Sequence, residues 1–133
     1  MKIAIFRDNK GQALVEMALV ITIFLLILSG IIEFGRIFSA QLIVTHASRE
    51  AARYGVINPG DSNEIVNKAE NASGVLDINK VSVVIFPLDL SARRRGEQLT
   101  VQVEYPVAII MPFIGGILSN PYTVRGITKM RIE

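Results

Sequence analysis

Glu16 is the residue whose chemistry most constrains this sequence. It sits four positions inside an apolar run that opens at Ala13. An ionised side chain is costly there and usually serves a function. Unless it snorkels to the headgroups from the first turn of a helix, it needs a cation on its own helix face or on a neighbouring chain. The usual apparatus of catalysis is missing around it. His46 is the only histidine and there is no cysteine, which excludes a histidine-based triad, a thiol nucleophile, and thiolate or two-histidine metal sites. The acids are scattered singly, and no Walker loop or GxGxxG occurs. What remains is electrostatic: one charge placed in hydrocarbon. No enzyme activity, cofactor or small-molecule substrate is expected.

The element that must position Glu16 is a membrane helix. Met17–Ile32 reads MALVITIFLLILSGII, uncharged, with eleven residues drawn from Leu, Ile, Val and Phe. On an insertion scale these contribute about −3 to −7 kcal/mol together. With Ala13, Leu14 and Val15 the run matches a hydrocarbon core of about 30 Å. Lys2, Arg7 and Lys10 precede it, whereas Arg36 alone follows closely. The excess of basic residues places the N-terminus in the cytoplasm and the remainder outside. A cleaved secretory signal is the competing reading; its apolar region would be shorter, and Phe38-Ser39-Ala40 puts a bulky ring where a small residue is wanted.

The first eleven residues hold the whole formal charge of +2, because eleven basic and eleven acidic residues balance from Gln12 onward. The basic pI therefore does not point to nucleic acid, and no interleaving of aromatic and basic residues of the kind that stacks bases appears.

Lys10-Gly11-Gln12-Ala13-Leu14-Val15-Glu16-Met17 resembles the processing site of type IV prepilins. In those proteins a membrane peptidase cuts after a glycine that ends a short basic leader, and the fifth residue of the mature chain is glutamate. Counted from Gln12, Glu16 is the fifth. The likeness narrows with Glu33-Phe34-Gly35-Arg36 and with Ala47-Ser48-Arg49-Glu50-Ala51-Ala52-Arg53-Tyr54-Gly55. Together with the GQxxVE-type start these resemble the TadE-like family of the tight-adherence (Flp) pilus system. The closing Met130-Arg131-Ile132-Glu133 is similar to that family's usual end.

The resemblance implies cleavage after Gly11, which frees a charged α-amine on Gln12. Glu16 lies four residues on, on the same helix face. Amine and carboxylate can then neutralise each other at the membrane edge, within a chain or between adjacent chains. Between chains, such a pair sets the stagger of packed helices, as a buried polar residue sets coiled-coil register.

Helical spacing continues to Tyr54, with Gly55 placed as a stop. Ile37, Ala40, Val44, Ala47, Ala51 and Tyr54 form one face of this stem, for a partner helix or for the head's own sheet. Glu50 and Arg53 are spaced as an i,i+3 pair. A short helix, capped by Asp61 or Ser62, runs to about Ala72. Strands are expected over Lys80–Phe86, Gln98–Tyr105 and Tyr122–Ile132. Arg93-Arg94-Arg95-Gly96 fits a solvated hairpin tip. Val107–Leu118 is a second apolar run, too short to span, that either packs under the sheet or forms an exposed patch.

These readings combine into an α+β, pilin-like fold: a long N-terminal helix whose first half spans the membrane, a short helix, and a small antiparallel sheet. Residues 1–11 are a cytoplasmic leader to be cleaved, 12–33 the transmembrane helix, and 34–133 an extracytoplasmic stem and head. The family likeness implies a minor pilin or pseudopilin in the inner (cytoplasmic) membrane. Its partners would be membrane lipid, a prepilin peptidase, the major pilin and other minor pilins, and the inner-membrane assembly platform. Gly11 and Gln12 would be the processing residues and Glu16 the registry residue. The alternative is a membrane-tethered extracytoplasmic binding module or accessory subunit that no prepilin peptidase processes.

Overall fold

The computed structural model describes residues 9–133; Lys2, Arg7 and Asp8 of the basic leader lie outside the described residues. One helix, α1 (Asn9–Ile57), takes up 49 residues, about 74 Å at 1.5 Å per residue. It contains no proline, and its first half is rich in Leu and Ile. The sequence placed its end at Gly55. The helix instead runs on to Ile57 and stops before Asn58-Pro59-Gly60, where the proline ring disfavours helical backbone at the preceding residue. Gly55 has a packing role. A Cβ there would lie 2.5 Å from a methyl of Leu99 and 3.0 Å from one of Ile65, so the missing side chain admits the head.

The chain then folds back along α1. Asp61 caps α2 (Ser62–Ala72), its Oδ1 accepting the Glu64 N–H at 3.2 Å. Ile65 and Ala69 of α2 are fully buried. Three strands follow: β1 (Ser82–Phe86), β2 (Gln98–Val107) and β3 (Tyr122–Arg131). A single turn, α3 (Pro112–Gly115), interrupts the β2–β3 connection. The strands form one antiparallel sheet in the order β1-β2-β3, with Val83 opposite Val103 and Val101 opposite Thr128.

Alternation decides which face meets the helix. Leu99, Val101, Val103 and Val107 of β2, Ile85 of β1 and Val124 of β3 point inward. They join Ile37, Ala40, Val44, Ala47 and Ala51 of α1 in one core. The stem stripe seen in the sequence is thus covered by the head's own sheet. Its small residues allow close approach, which is tightest at Gly126, where a Cβ would collide with the Val44 carbonyl. Polar groups finish the seam. The Gln41 amide donates to the Arg125 carbonyl at 2.8 Å and accepts the Arg125 N–H at 3.3 Å. The hydroxyls of Ser48 and Thr128 lie 2.7 Å apart. Gln41 therefore occupies part of the unpaired edge of β3 as another strand would.

Two surface expectations change. Arg93 is not a solvated tip residue but is buried. Its Nε donates to the Pro87 carbonyl at 2.7 Å, and its Nη1 donates to the Pro59 carbonyl at 3.0 Å and Ser62 Oγ at 2.8 Å. It ties the end of the stem to the β1–β2 connection, while Arg94 and Arg95 are exposed. Glu50 and Arg53 are both exposed, and the ion pairs among the described residues lie elsewhere, at Glu33–Arg36, Glu64–Lys68, Asp77–Lys80 and Glu104–Arg125.

Candidate assembly interface

Gly11, Gln12 and Glu16 all lie on the exposed first turns of α1. Nothing approaches within 4 Å of a Cβ built on Gly11. Gln12 and Glu16 share one side of the helix and line a shallow groove with Val15 and Leu19. Within the chain, therefore, the three residues that the sequence singles out are brought together by helix periodicity alone.

Farther along, α1 is long and apolar enough to cross a membrane, and none of that stretch is buried inside the protein. The apolar surface does not stop where the apolar run does. Phe34, Phe38 and Leu42 form an i, i+4, i+8 stripe on the stem, and all three are exposed while the opposite stripe is buried by the head. The sequence reading does not single out this second stripe, although its spacing is plain; periodicity alone does not tell which of two apolar faces the head covers.

The stripe is aligned with Glu16. Phe34 lies eighteen residues beyond it, about five turns at 3.6 residues per turn, so the two share an azimuth. Phe38 and Leu42 drift only part of a turn from that line. One flank of the rod thus carries a carboxylate near its N-terminal end and large apolar side chains beyond the apolar run.

Glu33 marks the exit from that run. It is 1% exposed, and its Oε1 accepts from Arg36 Nη1 at 2.9 Å. Its Oε2 is buried with no hydrogen-bond partner. Arg36 reaches on to the Ala108 carbonyl at 3.4 Å, so this pair fastens the root of the β2–β3 connection to the stem.

The sequence model of TadE-like protein matches residues 11–53. Over this stretch the chain is similar to that family. The matched residues run from Gly11 through the apolar run and the stem, and they include Glu16, Glu33, Arg36 and the exposed stripe. Comparison with curated proteins and with solved structures gives no match. The TadE-like family is associated with pili and is not known as enzymatic. Among the described residues, no cluster of three acidic or histidine side chains could hold a metal ion.

Proposed function

We propose that this TadE-like chain is a minor pilin or pseudopilin that takes part in assembly of a tight-adherence (Flp, type IV-like) pilus. It enters the inner membrane with its N-terminus in the cytoplasm, residues 12–33 spanning and residues 34–133 outside. A prepilin peptidase cuts after Gly11 and removes the leader's positive charges. The Gln12 amine then pairs with Glu16 of its own or an adjacent chain, which offsets the cost of a carboxylate in hydrocarbon. Helices of the major pilin, other minor pilins or the assembly platform pack along the same flank.

The observation that carries this reading is the alignment of Glu16 with the exposed Phe34, Phe38 and Leu42 on an uninterrupted helix matched as TadE-like. A tether that only holds a binding head needs an apolar run, but gains nothing from an unpartnered apolar stripe outside it. Large exposed apolar groups of this kind mark interaction surfaces.

The test is the intact mass of protein extracted from membranes after co-expression with a prepilin peptidase from a cell that makes such pili. The expected mass is that of a chain beginning at Gln12. A chain that keeps Met1 refutes the pilin reading, and one beginning near Gln41 assigns the segment to a secretory signal.

A further inference from the structure

The β2–β3 connection turns back toward the membrane. From Pro106 to Val124 the chain carries no charged residue. Its root is fixed where α1 leaves the apolar run: Val107 and Ile109 are buried, and Ala108 accepts from Arg36. The Asn120 side chain closes the neck, accepting the Ile109 N–H at 3.1 Å and donating to the Ile109 carbonyl at 3.2 Å. Beyond this neck the apolar side chains turn outward, with Phe113 71% and Ile117 85% exposed and Ile110 close behind.

Phe113 places this loop beside the apolar run of α1. Met111 and Phe113 share a shallow apolar pocket with Thr22, Leu25, Leu26 and Ser29 of α1. Those four helix residues lie three to ten positions membrane-ward of Ile32, or about 5–15 Å at 1.5 Å per residue. That depth falls within the head-side half of a hydrocarbon core about 30 Å thick.

Unpaired backbone is costly near hydrocarbon, and one turn of the connection is bonded within itself. The Ile114 and Gly115 N–H groups donate to the Met111 carbonyl at 3.2 and 3.1 Å, and those of Ile117 and Leu118 to the Ile114 carbonyl at 3.0 and 2.9 Å. Pro112 and Pro121 have no N–H to satisfy. An uncharged loop with large apolar tips beside a spanning helix puts its side chains in lipid more cheaply than in water, while its irregular backbone stays at the protein and headgroup side.

We propose that this connection is a second membrane anchor: Ile110, Phe113 and Ile117 sit among the acyl chains of the head-side leaflet, beside α1. The inference rests on α1 spanning the membrane and is independent of cleavage and of pilus membership. The head is then held to the bilayer at two points, the helix and this loop, which sets its height above the surface.

The absence of cysteine from the chain makes single-site labelling direct. The full chain carrying Phe113→Cys or Ile117→Cys is spin-labelled and reconstituted into vesicles of phosphatidylethanolamine and phosphatidylglycerol. Leu19→Cys is the lipid reference and Arg94→Cys the aqueous one. Collisions with oxygen, which concentrates in hydrocarbon, are compared with collisions with a water-soluble nickel chelate. Labels at 113 and 117 are expected to favour oxygen as the label at 19 does. Favouring the chelate as at 94 overturns the anchor while leaving the spanning helix intact. Shielding from both reagents also overturns it, since protein would then cover the loop. An aqueous label at 19 removes the spanning helix and the anchor with it.

Discussion

Gly126→Ala tests how tightly the head is locked to its helix. A Cβ at this position would lie 2.6 Å from the Val44 carbonyl carbon and 2.8 Å from the Thr45 nitrogen, with the Val44 oxygen nearer still. Ordinary contact begins near 3.4 Å, so the methyl is short of space by nearly an ångström. The obstacle is backbone inside a helix and cannot rotate away. Relief requires α1 and β3 to separate, and a gap of about 0.5–1 Å forfeits a quarter to a half of each dispersion contact along the seam. The paired bonds of Gln41 with Arg125, and the contact of Ser48 with Thr128, stretch at the same time. The combined cost is about 2–4 kcal/mol. For a domain of this size that lowers the melting temperature by roughly 8–25 °C. Circular dichroism melts of the full chain in detergent micelles measure it. Gly55→Ala is the informative comparison. Its obstacles are the methyl ends of Leu99 and Ile65, which can shift, and alanine regains roughly 1 kcal/mol of helix propensity. A much smaller loss is expected there. Gly126→Ala melting within about 2 °C of the parent, well short of the shift a 2 kcal/mol loss produces, would refute the locked seam.

Other perturbations separate the remaining roles. Glu16→Leu should insert and accumulate normally, yet lower both pilus output and crosslinking between neighbouring chains through a cysteine at Phe38; parental values for both would reduce Glu16 to a snorkelling residue. Arg93→Ala should cost about 2–4 kcal/mol, because the carbonyls of Pro59 and Pro87 lose their donor, and a proteolysis midpoint unchanged from the parent would contradict this. Acid should weaken the head through Asp77 and Asp89. The Asn79 backbone N–H and then its side chain hold the Asp77 carboxyl below its usual value, and the Ser91 hydroxyl and N–H do the same for Asp89. With folded values below the unfolded one near 3.9, this stabilisation is complete above about pH 4 and disappears as pH falls through the folded values. A melt series from pH 6 to pH 3 should therefore fall at its acid end, and fall less in an Asp77→Asn, Asp89→Asn double variant.

The elements written in local periodicity were legible. The apolar run, the N-cap of α2 and the alternation of β2 depend on neighbours in the chain, and they appear in the fold within a few residues. Contacts that depend on distant partners were not. Gly55 carries the usual signature of a helix end, yet its use is set by Leu99 and Ile65, which only the folded head brings to it. Three consecutive arginines look like a solvated tip because nothing nearby announces the Pro59 carbonyl waiting for Arg93. The spacing of Gly11, Gln12 and Glu16 could be read because one helix positions all three. The Phe34, Phe38 and Leu42 stripe was equally periodic, but only the burial of the opposite face singles it out as unpartnered.

The continuity of α1 has a mechanical corollary. No break separates the apolar first half from the part gripped by the sheet, since all 49 residues belong to one helix. A rod without a swivel transmits torque. If a neighbour draws Glu16 toward itself, the whole shaft turns about its long axis. The sheet, clamped at Gly126 and Gln41, must swing through the same angle. The compass bearing of the head around an assembly would then be dictated from below, by where one carboxylate finds its cation.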